Sequence, residues 1–564
     1  EDVTYLPGKL HKFSIKIKKK TSGGVEFHLI GESITAWESE SFTHDGQTRE
    51  YIVINCETAG SLKDAITATG KDYQKVKNLK ITGNINANDF FFMRDEMIML
   101  QGVNLKEVTI EAVRVGYKDY MANEIPERAF ASKKTLLRII LPDVLEKIGE
   151  CAFTATGITG TIIFPEGLTH IGYYAFEHLN ITSVSLPSTL KSIGGGAFSA
   201  CDYLSGNMIF PDTLEEIHSS AFSGCDNLSG QLILPENLTV LGSSAFSNCG
   251  FTGSLKIPSK ITKIEDGVFE NCAFDGELIL HDNIVEIGND SFSNSTINRY
   301  KGFRGHLNLP ENLVSIGKQA FYGTHFSGKL VLPKTLALIG ESAFLNCSHI
   351  SGELVIPNEM RLISKYAFGG LSINSIILPS TVEYIASSAF TGCRGVSKII
   401  SDSVVPPSIA NDAFSGLSKQ NIILEVPESS VNSYSNVAGW NEFNHITAHH
   451  DFLISDLLYR TLNPPQSVTM QLKAPSNQSW RVENCPEWIQ VSPSSGVGKA
   501  MLTLSISKME STDVDIVEYE FEEGYNFVPQ EILSLIKSRR SVRLFKNEEI
   551  TLRDLQKLKD MLPY

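Results

Sequence analysis

The stretch Leu214-Glu-Glu-Ile217-His-Ser-Ser-Ala221-Phe222-Ser-Gly-Cys225-Asp-Asn-Leu228-Ser-Gly-Gln-Leu232-Ile-Leu234-Pro235 decides the fold, because the same order returns as Leu238, Leu241, Ala245, Phe246, Cys249, Leu255, Ile257 and Pro258. Working outward, Ala-Phe or a close relative ends at Phe130, Phe153, Phe176, Phe198, Phe222, Phe246, Phe269, Phe292, Phe321, Phe344, Phe368, Phe390 and Phe414. The spacing is 22 to 24 residues throughout, except for 29 between Phe292 and Phe321. A unit this short cannot bury its own apolar positions. It must stack on its neighbours and share one continuous core, which is the physics of a solenoid. The Phe positions then form a ladder. Stretches such as Gln231 to Leu234 and Glu353 to Ile356 predict short strands that pair with their equivalents in adjacent coils. The following Pro closes each strand, since it fixes φ and donates no hydrogen bond. The Ala before each Phe lets neighbouring coils approach. Cys201, Cys225, Cys249, Cys272, Cys347 and Cys393 each sit three residues after the Phe. That register suits a small buried apolar residue better than a metal ligand or a disulfide partner.

Composition agrees with a folded chain. Of 564 residues, 42% are hydrophobic and 20% charged, with 43 Gly, 22 Pro and 9 Cys. At about 150 residues per domain the length suggests three or four domains of ordinary size. Lys and Arg number 49 against 64 Asp and Glu, a formal charge of −15 that argues against nucleic acid as a partner. No apolar run approaches the ~20 residues a membrane-spanning helix needs. Glu1 opens no signal peptide, so the chain reads as soluble with any targeting or lipid-anchoring segment absent from it. The odd cysteine count without CxxC pairs argues against a disulfide scaffold and a structural zinc site.

The pattern LxxI-x3-AF-xxC-xxL with a following [IL]P resembles the BspA-like, or Treponema-type, leucine-rich repeat of Bacteroidetes and other bacterial surface proteins, over roughly residues 120 to 425. The fold class expected is therefore a mainly β solenoid with leucine-rich repeats of about 23 residues, spanning 120–448. The resemblance implies a cell-surface or secreted, adhesin-like protein without catalysis, which binds a host or microbial surface protein or glycan, with a monomer expected.

The flanks read differently. Residues 1–57 hold two alternating segments, Lys9 to Lys18 and Val25 to Ile30, joined by a turn at Gly23 and Gly24, the pattern of a β-hairpin. Tyr5 to Lys9 with Ile34 to Trp37 is similar to the end of fimbrillin-like domains, which implies that the chain begins inside a domain. Residues 58–119, with Leu62, Ile66, Val76, Leu79, Ile81, Leu105, Val108 and Ile110, read as a degenerate capping unit. In 449–508, Trp480 to Trp488, the Ser-Pro-Ser-Ser-Gly turn ending at Gly496 and the alternation from Met501 to Ile506 resemble a BACON domain, a small β-sandwich. That resemblance implies carbohydrate binding, with Trp488 as a candidate contact and core packing as the competing role of its ring. Residues 509–564 read as an acidic linker and a helical segment. Within it, Ile536 to Phe545 resembles the opening motif of nitroreductase-like flavoproteins, in which Arg539, Ser541 and Arg543 would hold a flavin phosphate. The remainder of such an enzyme has no room before Tyr564, so no cofactor is expected.

No nucleophile elbow, HExxH, phosphate loop or dinucleotide fingerprint occurs, and no catalytic residue is expected. His445, His449, His450 and Asp451 form a His-rich cluster that reads as a solvated hinge rather than a metal site. The 29-residue interval is more informative. Its extra length brings Arg299, Tyr300, Lys301, Phe303, Arg304 and His306 onto an acidic protein, and Arg and aromatic residues are enriched where interfaces are tightest. Arg299, Tyr300, Phe303 and Arg304 are thus candidate ligand contacts, against a simple loop over one coil edge. Two other functions compete with the interaction protein: a flavin-dependent, nitroreductase-like activity of the C-terminal segment, and a structural spacer that displays the BACON-like domain.

Overall fold

The computed structural model describes residues 51–294 and 302–448 continuously, and outside them stretches at 10–19, 25–35, 453–455, 466–473, 479–481, 489–497 and 500–506. The chain divides into two compact units, 1–449 and 450–564. In the first, residues Leu10–Lys19 and Val25–Thr35 pair as an antiparallel hairpin.

The solenoid has about 17 turns. Each turn contributes a strand, or the position of one, to a first parallel ladder. This ladder begins with Ile52–Cys56, Asn78–Ile85, Gly102–Ile110 and Arg138–Ile140 in one sheet. It continues through Thr159–Ile163 and Asn180–Ser185, then through single bridges such as Gly206 with Leu228. It ends as a sheet that runs through Ile350–Val355, Ser372–Leu378, Lys398–Ser401 and Ile423–Val426 to His445–Ala448. The solenoid therefore begins by residue 52, inside the segment that sequence reading assigned to the hairpin. The expected cap is two further β-α turns, with helices Leu62–Ala68 and Ala87–Asp95 where later turns have the Ala-Phe corner.

A second parallel ladder was not foreseen. It consists of two-residue strands at the Leu-x-x-Ile positions: Glu124–Ile125, Lys147–Ile148, His170–Ile171, Ser192–Ile193, Glu216–Ile217 and Val240–Leu241 pair in series. The same positions continue at Lys263–Ile264, Glu286–Ile287, Ser315–Ile316 and Leu338–Ile339. Two residues are too few for an alternation to show in sequence.

Between the ladders lies the aromatic stack. All thirteen Phe rings are in face-to-face register, with centroids 5.1 Å apart at the tightest, Phe153 on Phe176, and 6.0 Å at the widest, Phe246 on Phe269. The Phe backbone N–H donates to the carbonyl of the next coil's Ala position, as Phe198 does to Ala221 and Phe222 to Ala245, both at 2.8 Å. The Ala side chains are buried, so a larger residue there would push the coils apart. Each end is closed by an aromatic set at an angle. Phe90, on the helix Ala87–Asp95, meets Phe130 edge-on at 5.9 Å. At the other end Trp440 and Phe443 close on Phe414 at 5.7 and 5.6 Å, and the Trp440 indole donates to the Pro407 carbonyl at 2.8 Å.

The second unit holds an antiparallel sheet in the order Leu453–Ser455, Gln466–Lys473, Ala500–Ile506, Ile489–Ser492, and a separate pair of Ser479–Arg481 with Ser495–Val497. Trp488, the expected C-terminal helices and the motif at Arg539, Ser541 and Arg543 lie outside the described residues.

Candidate functional site

In the first ladder a strand reads inward-outward-inward before the Pro. Leu232 and Leu234 face the core, and Ile233 faces out. The outward position repeats as Ile163, Ile209, Ile233, Ile279, Val331 and Val355, exposed by between 41% and 76%. β-Branched residues suit a strand, but nothing in the strand's own packing requires them to be apolar on the solvent side. Across the nine coils from Ile163 to Val355 they fill six of the outward positions, with exposed Ser185, Lys256 and Asn308 at the other three, so the apolar row is interrupted and Ile209 with Ile233 and Val331 with Val355 are its adjacent-coil pairs.

Polar columns border this row. On one side Thr161 and Ser183 share a hydrogen bond of 2.6 Å, the Gln231 amide donates to the Ser254 carbonyl at 3.2 Å, and Lys329 pairs with Glu353 at 3.1 Å. On the other side, just past the Pro position, stand the exposed carboxylates of Glu166, Asp212, Glu236, Asp282 and Glu311. Several are held in place. Glu166 accepts from the backbone and hydroxyl of Ser188, and Asp282 from the backbone of Glu311 at 3.1 Å. The ammonium of Lys256, at 2.5 Å, keeps the Glu236 carboxyl below its usual range.

The sequence-selected residues fall unevenly around this face. Phe303 is not a surface contact. It is buried, with its ring stacked on Phe274 at 4.9 Å and on Phe326 at 5.9 Å. The reason is register: Phe251, Phe274 and Phe326 each follow a ladder Phe by five residues, and Phe303 occupies the same core position after the interval lengthens. All of the extra length is thus taken up before Gly302, whose N–H already donates to Phe274 at 2.9 Å. Arg304 is exposed, with its backbone donating to Gly276 at 2.9 Å in line with the first ladder. Arg299 and Tyr300 lie outside the described residues, as does Trp488. The apolar row was missed, although its signal was present in the Ile or Val between two inward apolar residues.

The six cysteines of the repeat column are buried core positions. The thiols of Cys201, Cys225, Cys249, Cys272, Cys347 and Cys393 each donate to a Phe carbonyl of the preceding coil at 3.0 to 3.2 Å. Burial pushes the Cys201, Cys272 and Cys393 thiols up to about 12. Among the described residues no group of three or more His, Cys, Asp or Glu side chains could hold a metal, and no helix is long and apolar enough to cross a membrane.

Comparison with known proteins bears on the solenoid. The family described as BspA type leucine rich repeat region matches residues 123–207, 205–304, 300–397 and 361–447. Among solved structures, a leucine-rich repeat protein from Bacteroides ovatus is 21% identical, with 77% of this chain and 96% of that one covered and a TM-score of 0.42. The pneumococcal vaccine antigen PcpA is 20% identical over 62% of this chain and 89% of that one, TM-score 0.39. A leucine-rich cell surface protein from Faecalibacterium prausnitzii is 21% identical over 53% and 87%, TM-score 0.29. No curated protein matches the chain. The fimbrillin-like, BACON-like and nitroreductase-like segments lie outside the matched residues. The matches run without a gap from residue 123 to residue 447, more than half of the sequence, and the chain belongs to the BspA-type leucine-rich repeat family.

Proposed function

We propose that the protein is a surface-exposed interaction protein whose first-ladder face binds a protein partner with apolar side chains flanked by basic ones. The apolar row of Ile163, Ile209, Ile233, Ile279, Val331 and Val355 carries this reading. Exposed apolar residues paired across adjacent coils, as Ile209 with Ile233 and Val331 with Val355, and rimmed by polar ones suit an interaction surface. The carboxylates of Glu166, Asp212, Glu236, Asp282 and Glu311 along one border favour a basic rim on the partner and steer its approach. Arg304 extends the face where Arg299 and Tyr300 precede it in sequence. Family membership supports both the interaction role and the surface location, since proteins of this type are usually surface-exposed and typically non-catalytic.

The test is binding of the full chain to an array of extracellular-matrix and bacterial surface proteins, with an Ile209→Lys/Ile233→Lys variant alongside. The reading expects at least one target whose binding weakens with added salt and disappears in the variant while its melting temperature holds. Binding that ignores the double substitution, or no binding to any target, would remove this face from the mechanism.

A further inference from the structure

We propose a second, separate site on the other ladder: an aromatic platform at Tyr173 and Tyr174 that binds the flat face of a hexopyranose within a linear oligosaccharide. The argument begins with an anomaly in the repeat. After the second-ladder strand Ser192–Ile193 the chain reads Gly194-Gly195-Gly196, where the next coil has His218-Ser219-Ser220 and the one after it Gly242-Ser243-Ser244. Gly196 has φ +63, and its counterparts Ser220 and Ser244 adopt the same left-handed backbone at 58 and 56. A glycine is therefore not demanded by the turn at this position.

What the glycines provide is space for rings. A Cβ on Gly195 would lie 2.9 Å from Cδ1 of Tyr173, and one on Gly196 would lie 2.4 Å from Cδ1 of Tyr174. Both rings thus rest on the backbone of the following coil. Gly195 and Gly196 are buried beneath them, while Ser219 and Ser243 in later coils are not. Yet the two tyrosines keep 48% and 44% of their surface exposed. Tyr173 also reaches the ring of His218, two coils on, at 5.6 Å.

The border of the platform is polar and ordered. Glu216 accepts from the Ser192 hydroxyl at 2.9 Å and lies 3.2 Å from Nε2 of His218, and the Ser192 hydrogen bond leads in holding its carboxyl below the usual range. Beyond His218 a shallow groove continues along the coils past Ser219, Ser243, Lys260 and Lys263. Two half-exposed rings seated on glycine backbone, with carboxylate, imidazole and hydroxyl groups beside them, match a pyranose. Its C–H face is apolar and meets the negative face of an aromatic ring, and its hydroxyls radiate in the ring plane toward hydrogen-bonding side chains. The groove across successive coils favours a chain of sugars over a single one. This proposal stands on different residues from the first-ladder face and is independent of it.

The experiment is calorimetric titration of the full chain with cellohexaose, xylohexaose and N-acetylchitohexaose, and with the corresponding disaccharides. At least one hexasaccharide binds, and more tightly than its disaccharide. Replacing both rings, Tyr173→Ala with Tyr174→Ala, weakens that binding about ten-fold or more, whereas Ile209→Lys/Ile233→Lys leaves it unchanged. Gly195→Ala, which displaces the Tyr173 ring, also weakens it. If the double tyrosine variant has no native melting transition, saturation-transfer NMR on the unmodified chain decides: transfer between tyrosine ring protons and the sugar supports the site, and none overturns it. Absence of binding to all three hexasaccharides, or binding indifferent to loss of both rings, overturns it as well.

Discussion

The thiol of Cys225 lies 3.1 Å from the carbonyl oxygen of Phe198, one coil earlier, and donates to it. The bond joins the two most regular columns of the repeat, and it satisfies a carbonyl in the core between coils. Replacing Cys225 with Ala removes a buried sulfur and strands that acceptor. The expected cost is about 1–3 kcal/mol, measured by chemical denaturation, with Cys225→Ser, which keeps a donor, costing less. Equal losses for the two variants would show that the sulfur's packing alone matters.

The same burial sets a pH dependence. The Cys201, Cys272 and Cys393 thiols are raised from an ordinary 9.0 to about 12 in the folded chain. Between those values the unfolded chain has lost protons that the folded chain still holds, so stability decreases as pH rises. The contribution is complete below pH 9.0 and declines as pH climbs toward 12. Melting temperature should therefore drop across this window, and the drop should shrink when the three cysteines are replaced by Ala. At pH 8 the described cysteines of the column should resist a thiol reagent until denaturant is added; rapid labelling of the native protein would contradict their burial.

Phe222 stands in the middle of the aromatic stack, 5.2 Å from Phe198 and 5.4 Å from Phe246. Phe222→Ala is expected to cost about 3–5 kcal/mol. Because each coil touches only its neighbours, the loss is local to one interface and should split thermal unfolding into two transitions. A single, uniformly lowered transition in calorimetry would mean that the solenoid unfolds as one block.

Gly340 follows a second-ladder strand at a point where coils nearly touch: a Cβ there would lie 2.4 Å from the Lys318 nitrogen and 2.5 Å from the Gly317 carbonyl carbon. Both obstacles are backbone, so they cannot swing aside. Gly340→Ala is expected to destabilise by about 1–3 kcal/mol. Hydrogen exchange should show the effect concentrated in the coils around Gly317 and Gly340.

Asp89 ties the first two helices together. Its buried carboxylate accepts from the backbone N–H of Gly60 at 2.7 Å, Leu62 at 3.0 Å and Asn86 at 2.9 Å. Asp89→Ala leaves three donors without this acceptor, and a loss of about 2–4 kcal/mol is expected. Exchange should accelerate in residues 52–110 before it does near Phe414.

The architecture was legible because it is written many times. The Phe, Ala and Cys columns name their own positions through the period, and a short unit has no route to a core except stacking. The second ladder and the helical turns before residue 120 were not legible. A two-residue strand has no alternation, and the helices Leu62–Ala68 and Ala87–Asp95 replace the corner that defines the period. Phe303 was misread for a related reason: the lengthened interval hid that it occupies the core position of Phe274 and Phe326.

What the sequence by itself determined is therefore the one-dimensional order of this protein: which residues face the core, how often, and that coils share their apolar surface. Tertiary structure decided what lies side by side across coils. Ile209 and Ile233 are 24 residues apart, and Tyr173 and Gly195 are 22 apart. Only stacking makes the first pair neighbours in the apolar row and lays the Tyr173 ring on the Gly195 backbone. Surface chemistry in a solenoid is formed perpendicular to the chain, in a direction along which a sequence carries no order of its own.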